Sequence, residues 1–169
     1  GAAYPMALPN FQPLAALFFC GALIAPAWRG FTLPLGIWIL TFPLGSGHPD
    51  GPSLFLTTLA ALALTFFLGK WLSKKGWASM LLGSVGATLV FHLITNSAAW
   101  LADPRYAKSL VGLWQSLWTG APGDVLPSWV FLRNLGVANL IFTGAHLLAM
   151  LRAPQVYPSL AAPRAAKSH

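Results

Sequence analysis

The sequence has very few charged side chains and no glutamate at all. Only 8% of its 169 residues are charged, whereas a soluble globular domain carries about 25%. A soluble protein of this size needs many more polar side chains to cover its surface. The composition therefore excludes a soluble enzyme, a disordered tail and a disulfide scaffold, and it predicts an integral membrane protein.

Cysteine and acidic residues are also scarce. The single cysteine, Cys20, excludes an internal disulfide, and nothing in the sequence is typical of a cysteine metal site. The three acids, Asp50, Asp103 and Asp124, all fall in predicted loops. Because no spacing of Ser, His and Asp or of Cys and His indicates a nucleophile, we expect that the protein is not an enzyme.

Apolar residues dominate the chain, and most of its few charged residues are basic. Hydrophobic residues account for 56% of the chain, the mean hydropathy is +0.66 and the net charge is +7. Most of the basic residues fall at the ends of apolar runs, where they meet anionic lipid headgroups. The basic charge thus indicates a lipid bilayer as the partner, and nucleic-acid binding is not expected.

Six apolar runs predict an all-α membrane protein, a compact bundle of about six transmembrane helices. A spanning helix needs roughly 20 residues. The second run is short and contains Pro34 and Pro43, so it is expected to be tilted or partly unwound, and the fifth is too short to span easily. We predict one helical domain over residues 1–152, followed by a Pro/Ala-rich basic tail over 153–169. The runs cover residues 11–27, 31–44, 53–72, 77–101, 109–118 and 127–151.

The positive-inside rule leaves two topologies open. If all six runs cross the membrane, the ten basic residues divide five against five between its two sides. If the fifth run is re-entrant, they divide seven against three. The charge rule thus favours a fifth run that does not span.

Two predicted helices carry polar stripes at helical spacing. The fourth run holds Ser84, Thr88, His92 and Asn96, and the sixth holds Arg133, Gly136, Asn139, Thr143 and His146. Residues three or four apart share one face of a helix. Polar side chains in the bilayer are costly and usually face the bundle interior. The stripes therefore either line a pocket, which we favour, or join the helices by hydrogen bonds.

Several segments resemble an uncharacterised family of small bacterial membrane proteins assigned to transport. Residues 9–17 are similar to its PNFxPxxAL opening, and residues 93–101 to its TNxxxWL segment. Tyr106, residues 110–113 and residues 131–136 are similar to further elements. In size and six-helix layout that family is similar to the substrate-binding subunits of energy-coupling-factor vitamin transporters.

The chain departs from that resemblance at two positions. The family usually carries an acid near the end of its second helix, where this chain has residues 41–45 without one. It usually carries another after the glycine of the sixth helix, where Val137 follows Gly136. The departures weaken the case for a proton- or cation-coupled mechanism and strengthen the case for a structural subunit.

The stripes and the resemblance together predict a substrate-binding subunit or small transporter for a vitamin-like or cofactor-like organic solute. We expect it in the bacterial inner membrane as a multi-pass protein, together with other membrane subunits. No metal or cofactor is predicted. The expected ligand-binding residues are Asn10, Gln12, Thr88, His92, Asn96, Arg133, Asn139 and His146.

The alternative is an accessory subunit of a larger membrane redox or photosynthetic complex. Two neutral imidazoles on neighbouring helices can ligate haem or a chlorophyll-type pigment. If the fourth and sixth helices are parallel, His92 and His146 lie within about 5 Å in depth at 1.5 Å per residue. A bis-histidine site is then possible.

Overall fold

A computed structural model describes residues 8–9, 11–24, 27–45 and 51–152. The described residues form six α helices and one short 3₁₀ turn, Ser73–Lys75, with no strand among them. The predicted all-α class is thus confirmed. The helices are α1 (Leu14–Gly21), α2 (Ala27–Gly45), α3 (Gly51–Leu72), α4 (Trp77–Ala102), α5 (Leu110–Trp118) and α6 (Ser128–Arg152).

Three of these helices are long and apolar enough to span a membrane: the α3 region Ser53–Lys75, α4 and α6. Helix α5 has 9 residues and α1 has 8. At 1.5 Å per residue they extend about 14 Å and 12 Å, less than half of a hydrocarbon core of about 30 Å. The short fifth helix was predicted. The first helix is shorter than predicted, because the chain turns after Gly21.

Helix α2 differs from the prediction that it is short or irregular. It runs without interruption over 19 residues and includes Pro34. Proline has no N–H to donate, so it leaves the carbonyl of Gly30, four residues earlier, without its usual partner. That carbonyl packs against the α-carbon of Gly21 in α1. The carbonyl that the proline leaves free therefore lies in the contact between α1 and α2.

Glycines bring α1 against two neighbouring helices. A β-carbon at Gly21 or Gly30 would overlap the other residue's carbonyl, and one at Gly69 in α3 would overlap the carbonyl of Phe19. Small residues permit such backbone contact between membrane helices. Helix α1 therefore packs against both α2 and α3.

Helices α4 and α6 lie antiparallel. A β-carbon at Gly136 would lie 3.7 Å from Thr88 Cγ2, and one at Gly144 would lie 3.9 Å from Leu81 Cδ2. Residue numbers thus rise along α6 as they fall along the facing part of α4. This direction follows from the short α5, which starts and ends on the same side of the bundle.

The bundle buries polar side chains and exposes apolar ones. On α4, Ser84 and Thr88 are 1% and 2% exposed, whereas Leu82 and Leu89 are 76% and 48% exposed. A soluble helix shows the reverse arrangement. The outward leucines are what a lipid-facing surface requires, since a polar group facing lipid costs free energy.

The two ends of the bundle differ in charge. One end, here called the lysine end, holds Arg29, the lysines that follow α3, and Arg152. The other, the loop end, holds α5 and the two loops that flank it. Among the described residues the basic side chains at the lysine end are Arg29, Lys70, Lys74, Lys75 and Arg152.

Candidate ligand-binding site

His92 joins α4 to the end of α5. Its Nε2–H donates to the carbonyl oxygen of Leu117 at 2.9 Å. This carbonyl belongs to the last turn of α5, where helical partners are lacking. Since a carbonyl only accepts, the proton lies on Nε2, and Nδ1 is left as an acceptor. His92 therefore caps the C-terminal end of α5.

Asn96 lies one turn further along α4 and fixes that ring. Its Nδ2 group donates to His92 Nδ1 at 3.0 Å and to the His92 carbonyl at 2.9 Å. Both amide hydrogens are thereby used within α4. The Oδ1 atom is the polar atom that Asn96 can offer to a ligand.

The loop after α4 is closed by contacts to the end of the helix. The backbone N–H of Asp103 donates to Ala99 O at 2.8 Å and ends α4. The ammonium of Lys108 donates to the carbonyls of Trp100 and Asp103, as basic side chains commonly do at helix C-termini. These bonds place Asp103 and Arg105 over the end of α4.

Arg105 ties the two loops of the loop end together. Its Nη2 donates to Asp103 Oδ2 at 2.7 Å, its Nε reaches the same carboxylate at 3.0 Å, and its Nη1 donates to Asp124 Oδ1 at 2.7 Å. The Arg105 side chain is half exposed. Exposed ion pairs contribute little stability. The bridge therefore lies at an exposed rim and contributes little to stability.

The second loop holds Asp124 in position through two glycines. Gly120, with φ of +85°, ends α5, and Gly123, with φ of +89°, precedes Asp124. Both values lie in the region that glycine adopts without strain. Asp124 Oδ2 then accepts from the Ala121 N–H at 3.0 Å, so each oxygen of this carboxylate has one described donor.

These groups surround a cavity of about 300 Å³ at the loop end. The volume falls at the lower end of the range of small-molecule sites, about 300–1,000 Å³. The lining combines polar and charged side chains with aromatic and aliphatic ones. The lining residues are Phe91, His92, Thr95, Asn96, Ala99, Asp103, Arg105, Tyr106, Asp124, Ser128, Phe131 and Leu135.

A second cavity of about 240 Å³ shares part of this wall. Ala99, Asp103 and Arg105 line both cavities. Ser53 and Thr57 of α3 line the second one. The Asp103–Arg105 pair therefore stands between two spaces, one bounded by α6 and the other by α3.

The charges at the rim affect the protonation of Asp103 and Tyr106. Bonds from the Arg105 side chain, and then from its backbone N–H, lower the pKa of Asp103 below its usual value. Burial raises the pKa of Tyr106, and the carboxylates of Asp124 and Asp103 raise it further. Asp103 is thus ionised and Tyr106 neutral at neutral pH.

The structure brings His92 and Asn96 to the cavity but places Thr88 and Asn139 deeper in the bundle. Asn139 Nδ2 donates to Thr88 Oγ1 at 2.7 Å, and Thr88 Oγ1 donates to Ser84 O at 2.9 Å. Asn139 Oδ1 is buried without a partner among the described residues. The two stripes meet as predicted, but at this level they join helices and do not line the cavity.

His146 lies far from His92 because α4 and α6 are antiparallel. Asn139 and Thr88 share one level, His92 lies four residues from it toward the loop end, and His146 lies seven residues from it toward the lysine end. At 1.5 Å per residue the histidines are about 16 Å apart along the axis. The parallel arrangement that a bis-histidine haem or pigment site requires is not present.

The remaining predicted ligand residues lie outside both cavities or outside the described residues. Arg133 donates to Asn134 Oδ1 and packs 5.2 Å from the ring centre of Trp129. Asn134 Nδ2 in turn donates to Pro9 O at 3.0 Å, so this pair anchors the segment before α1. Gln12 is exposed and lines neither cavity. Asn10 and the tail 153–169 lie outside the described residues.

Comparison with known proteins identifies a family without assigning an activity. Residues 2–160 match the model of a family described as "Family of unknown function (DUF6580)". The chain belongs to this family. No curated protein and no solved structure matches the chain significantly.

Sequence reasoning missed the loop half of the site in this DUF6580 member. The sequence places Asp103 and Asp124 in loops and gives them no role, although both line the cavity together with Arg105. One signal was available: binding residues lie disproportionately on loops that a rigid scaffold holds in place. Two of the three aspartates of the chain flank the same short helix, α5.

Proposed function

We propose that the protein is a membrane-embedded binding subunit or small transporter for an organic solute of vitamin or cofactor size. The observation that carries the proposal is the cavity of about 300 Å³ whose wall combines His92, Asn96 and the Arg105 bridge. Small-molecule sites combine apolar and aromatic side chains with polar groups that fix the orientation of the ligand.

The distribution of charge supports uptake from outside the cell. Five described basic residues lie at the lysine end, whereas Arg105, Lys108 and Arg133 lie at or near the loop end. Basic residues favour the cytoplasmic side of a membrane. In a bacterial inner membrane the cavity would then open toward the periplasm, where a solute arrives. The half-exposed Arg105 bridge lies at that opening.

Thermal unfolding against a panel of vitamins and cofactors tests the proposal. A compound that binds only the folded protein stabilises it by about 2.7 kcal/mol at 100 times its dissociation constant. We expect at least one member of the panel to raise the unfolding temperature of the purified chain. If no compound in the panel raises the unfolding temperature, the result counts against the proposal.

Two alanines on α4 provide a matched control. Ala99 lines the cavity and is exposed, whereas Ala78 is exposed near the opposite end of the same helix. Ala99→Phe should fill the cavity and abolish the shift, and Ala78→Phe should retain it. A shift that survives Ala99→Phe would place the compound elsewhere.

A further inference from the structure

The cavity wall carries one more negative than positive charge. Asp103 and Asp124 contribute two carboxylates, and Arg105 contributes one guanidinium. Both ring nitrogens of His92 are hydrogen-bonded, to Leu117 O and to Asn96 Nδ2, and the ring is counted as neutral. Lys108 is bonded to backbone carbonyls of Trp100 and Asp103 and does not line the cavity. The wall therefore has a net charge of −1.

The two carboxylates differ in how many further hydrogen bonds they can accept. Asp103 receives the Arg105 backbone N–H and its Nε at Oδ1, and Nε and Nη2 at Oδ2. Asp124 receives one donor at each oxygen. Because a carboxylate offers about four acceptor positions, Asp124 retains about two for a ligand.

Aromatic rings face the same space. Phe91, Tyr106 and Phe131 line the cavity together with Asp124. The face of an aromatic ring attracts a cation, and the attraction increases where water is excluded. A carboxylate with free acceptor positions and three aromatic side chains is a combination that recognises an organic ammonium or amidinium group.

We propose that the solute bound in this cavity is an organic monocation, anchored on Asp124 and packed against the aromatic wall. This inference rests on the proposed function and adds the charge class of the solute. The cation would neutralise the net charge of the wall, whereas an anion would meet two carboxylates and a guanidinium that is already paired.

Cysteine protection with three matched probes tests the proposal. Benzylamine, benzyl alcohol and benzoate share one ring and differ in charge at neutral pH. In the full chain carrying Ala99→Cys, we measure the rate of maleimide labelling at low ionic strength with each probe. Unmodified protein gives the background, because its only cysteine, Cys20, is 4% exposed. Ala78→Cys is the control position, about 31 Å away along α4.

We expect benzylamine to protect Ala99→Cys at a concentration about tenfold lower than either other probe, a difference of about 1.4 kcal/mol. No probe should protect Ala78→Cys. Adding Asp124→Asn, which retains the shape of the side chain, should remove the preference for benzylamine, and Asp124→Glu should retain it.

The other outcomes separate the two proposals. Equal or better protection by benzoate or benzyl alcohol would overturn the cation assignment and leave the solute site in place. A preference that survives Asp124→Asn would also overturn it, because the carboxylate would not be the anchor. Protection by none of the three probes would remove both the cation site and the proposed function of the cavity.

Discussion

The pKa of Asp103 depends on the folded loop. Arg105 lowers its pKa, so the folded chain binds fewer protons at Asp103 than the unfolded chain does. The stabilisation is fully present above the unfolded pKa of about 3.9 and is lost as pH falls through the lower folded value.

This linkage predicts a change in acid stability. Arg105→Gln should remove the part of the acid-induced loss that arises from Asp103. Between about pH 5 and pH 2 the unfolding temperature of the unmodified protein should fall by a few degrees more than that of the variant. The effect is small because the pair is exposed. If the unfolding temperatures of the unmodified protein and of Arg105→Gln fall equally with pH, the account is wrong.

At the residue scale, the sequence predicts positions on helices better than positions in loops. The spacing of four residues correctly places His92 and Asn96 on one face, since a helix imposes that period. No period relates Asp103 to Asp124, because Gly120, Gly123 and the Arg105 bridge determine their separation. Such contacts depend on the folded loops and are not encoded in local spacing.

At the element scale, backbone contact at glycine holds α1 against α2. Gly30→Ala should destabilise the protein by about 1–3 kcal/mol, the usual cost of overpacking a core. Its β-carbon would overlap the carbonyl of Gly21. The matched control is Gly36→Ala on the same helix, where no atom lies within 4 Å of the added carbon.

Gly36→Ala should be neutral or stabilising by up to about 1 kcal/mol, because alanine favours helix more than glycine does. Thermal unfolding of both variants in the same detergent measures the difference. Equal stability of the two variants would show that the Gly21–Gly30 contact is not close in solution.

The elements themselves follow from the sequence to different degrees. The apolar runs of α3, α4 and α6 are long, so their existence and approximate ends were predictable. The continuity of α2 through Pro34 was not, because proline usually ends or kinks a helix. The end of α1 at Gly21 was not predictable either, since the apolar run continues to residue 27.

At the scale of the whole molecule, the short α5 determines the arrangement. Because α5 does not cross, α4 and α6 are antiparallel and the cavity forms where both meet the flanking loops. The exposed faces of Trp114 and Trp118, stacked 6.2 Å apart, are suited to the membrane–water boundary. The sequence allows a spanning or a re-entrant fifth run, and the 9 residues of α5 are too few to cross a hydrocarbon core of about 30 Å.

The most direct test of the solute-binding account compares two asparagines. Asn96 lines the cavity, whereas Asn139 joins α6 to Thr88 in the buried core. For a compound found in the panel, the dissociation constant and the unfolding temperature are measured for Asn96→Ala, Asn139→Ala and the unmodified chain. The account predicts that Asn96→Ala weakens binding by about 1–3 kcal/mol, whereas Asn139→Ala lowers stability by a similar amount and leaves the dissociation constant unchanged. Unchanged affinity in Asn96→Ala, with weakened binding in Asn139→Ala, would contradict it.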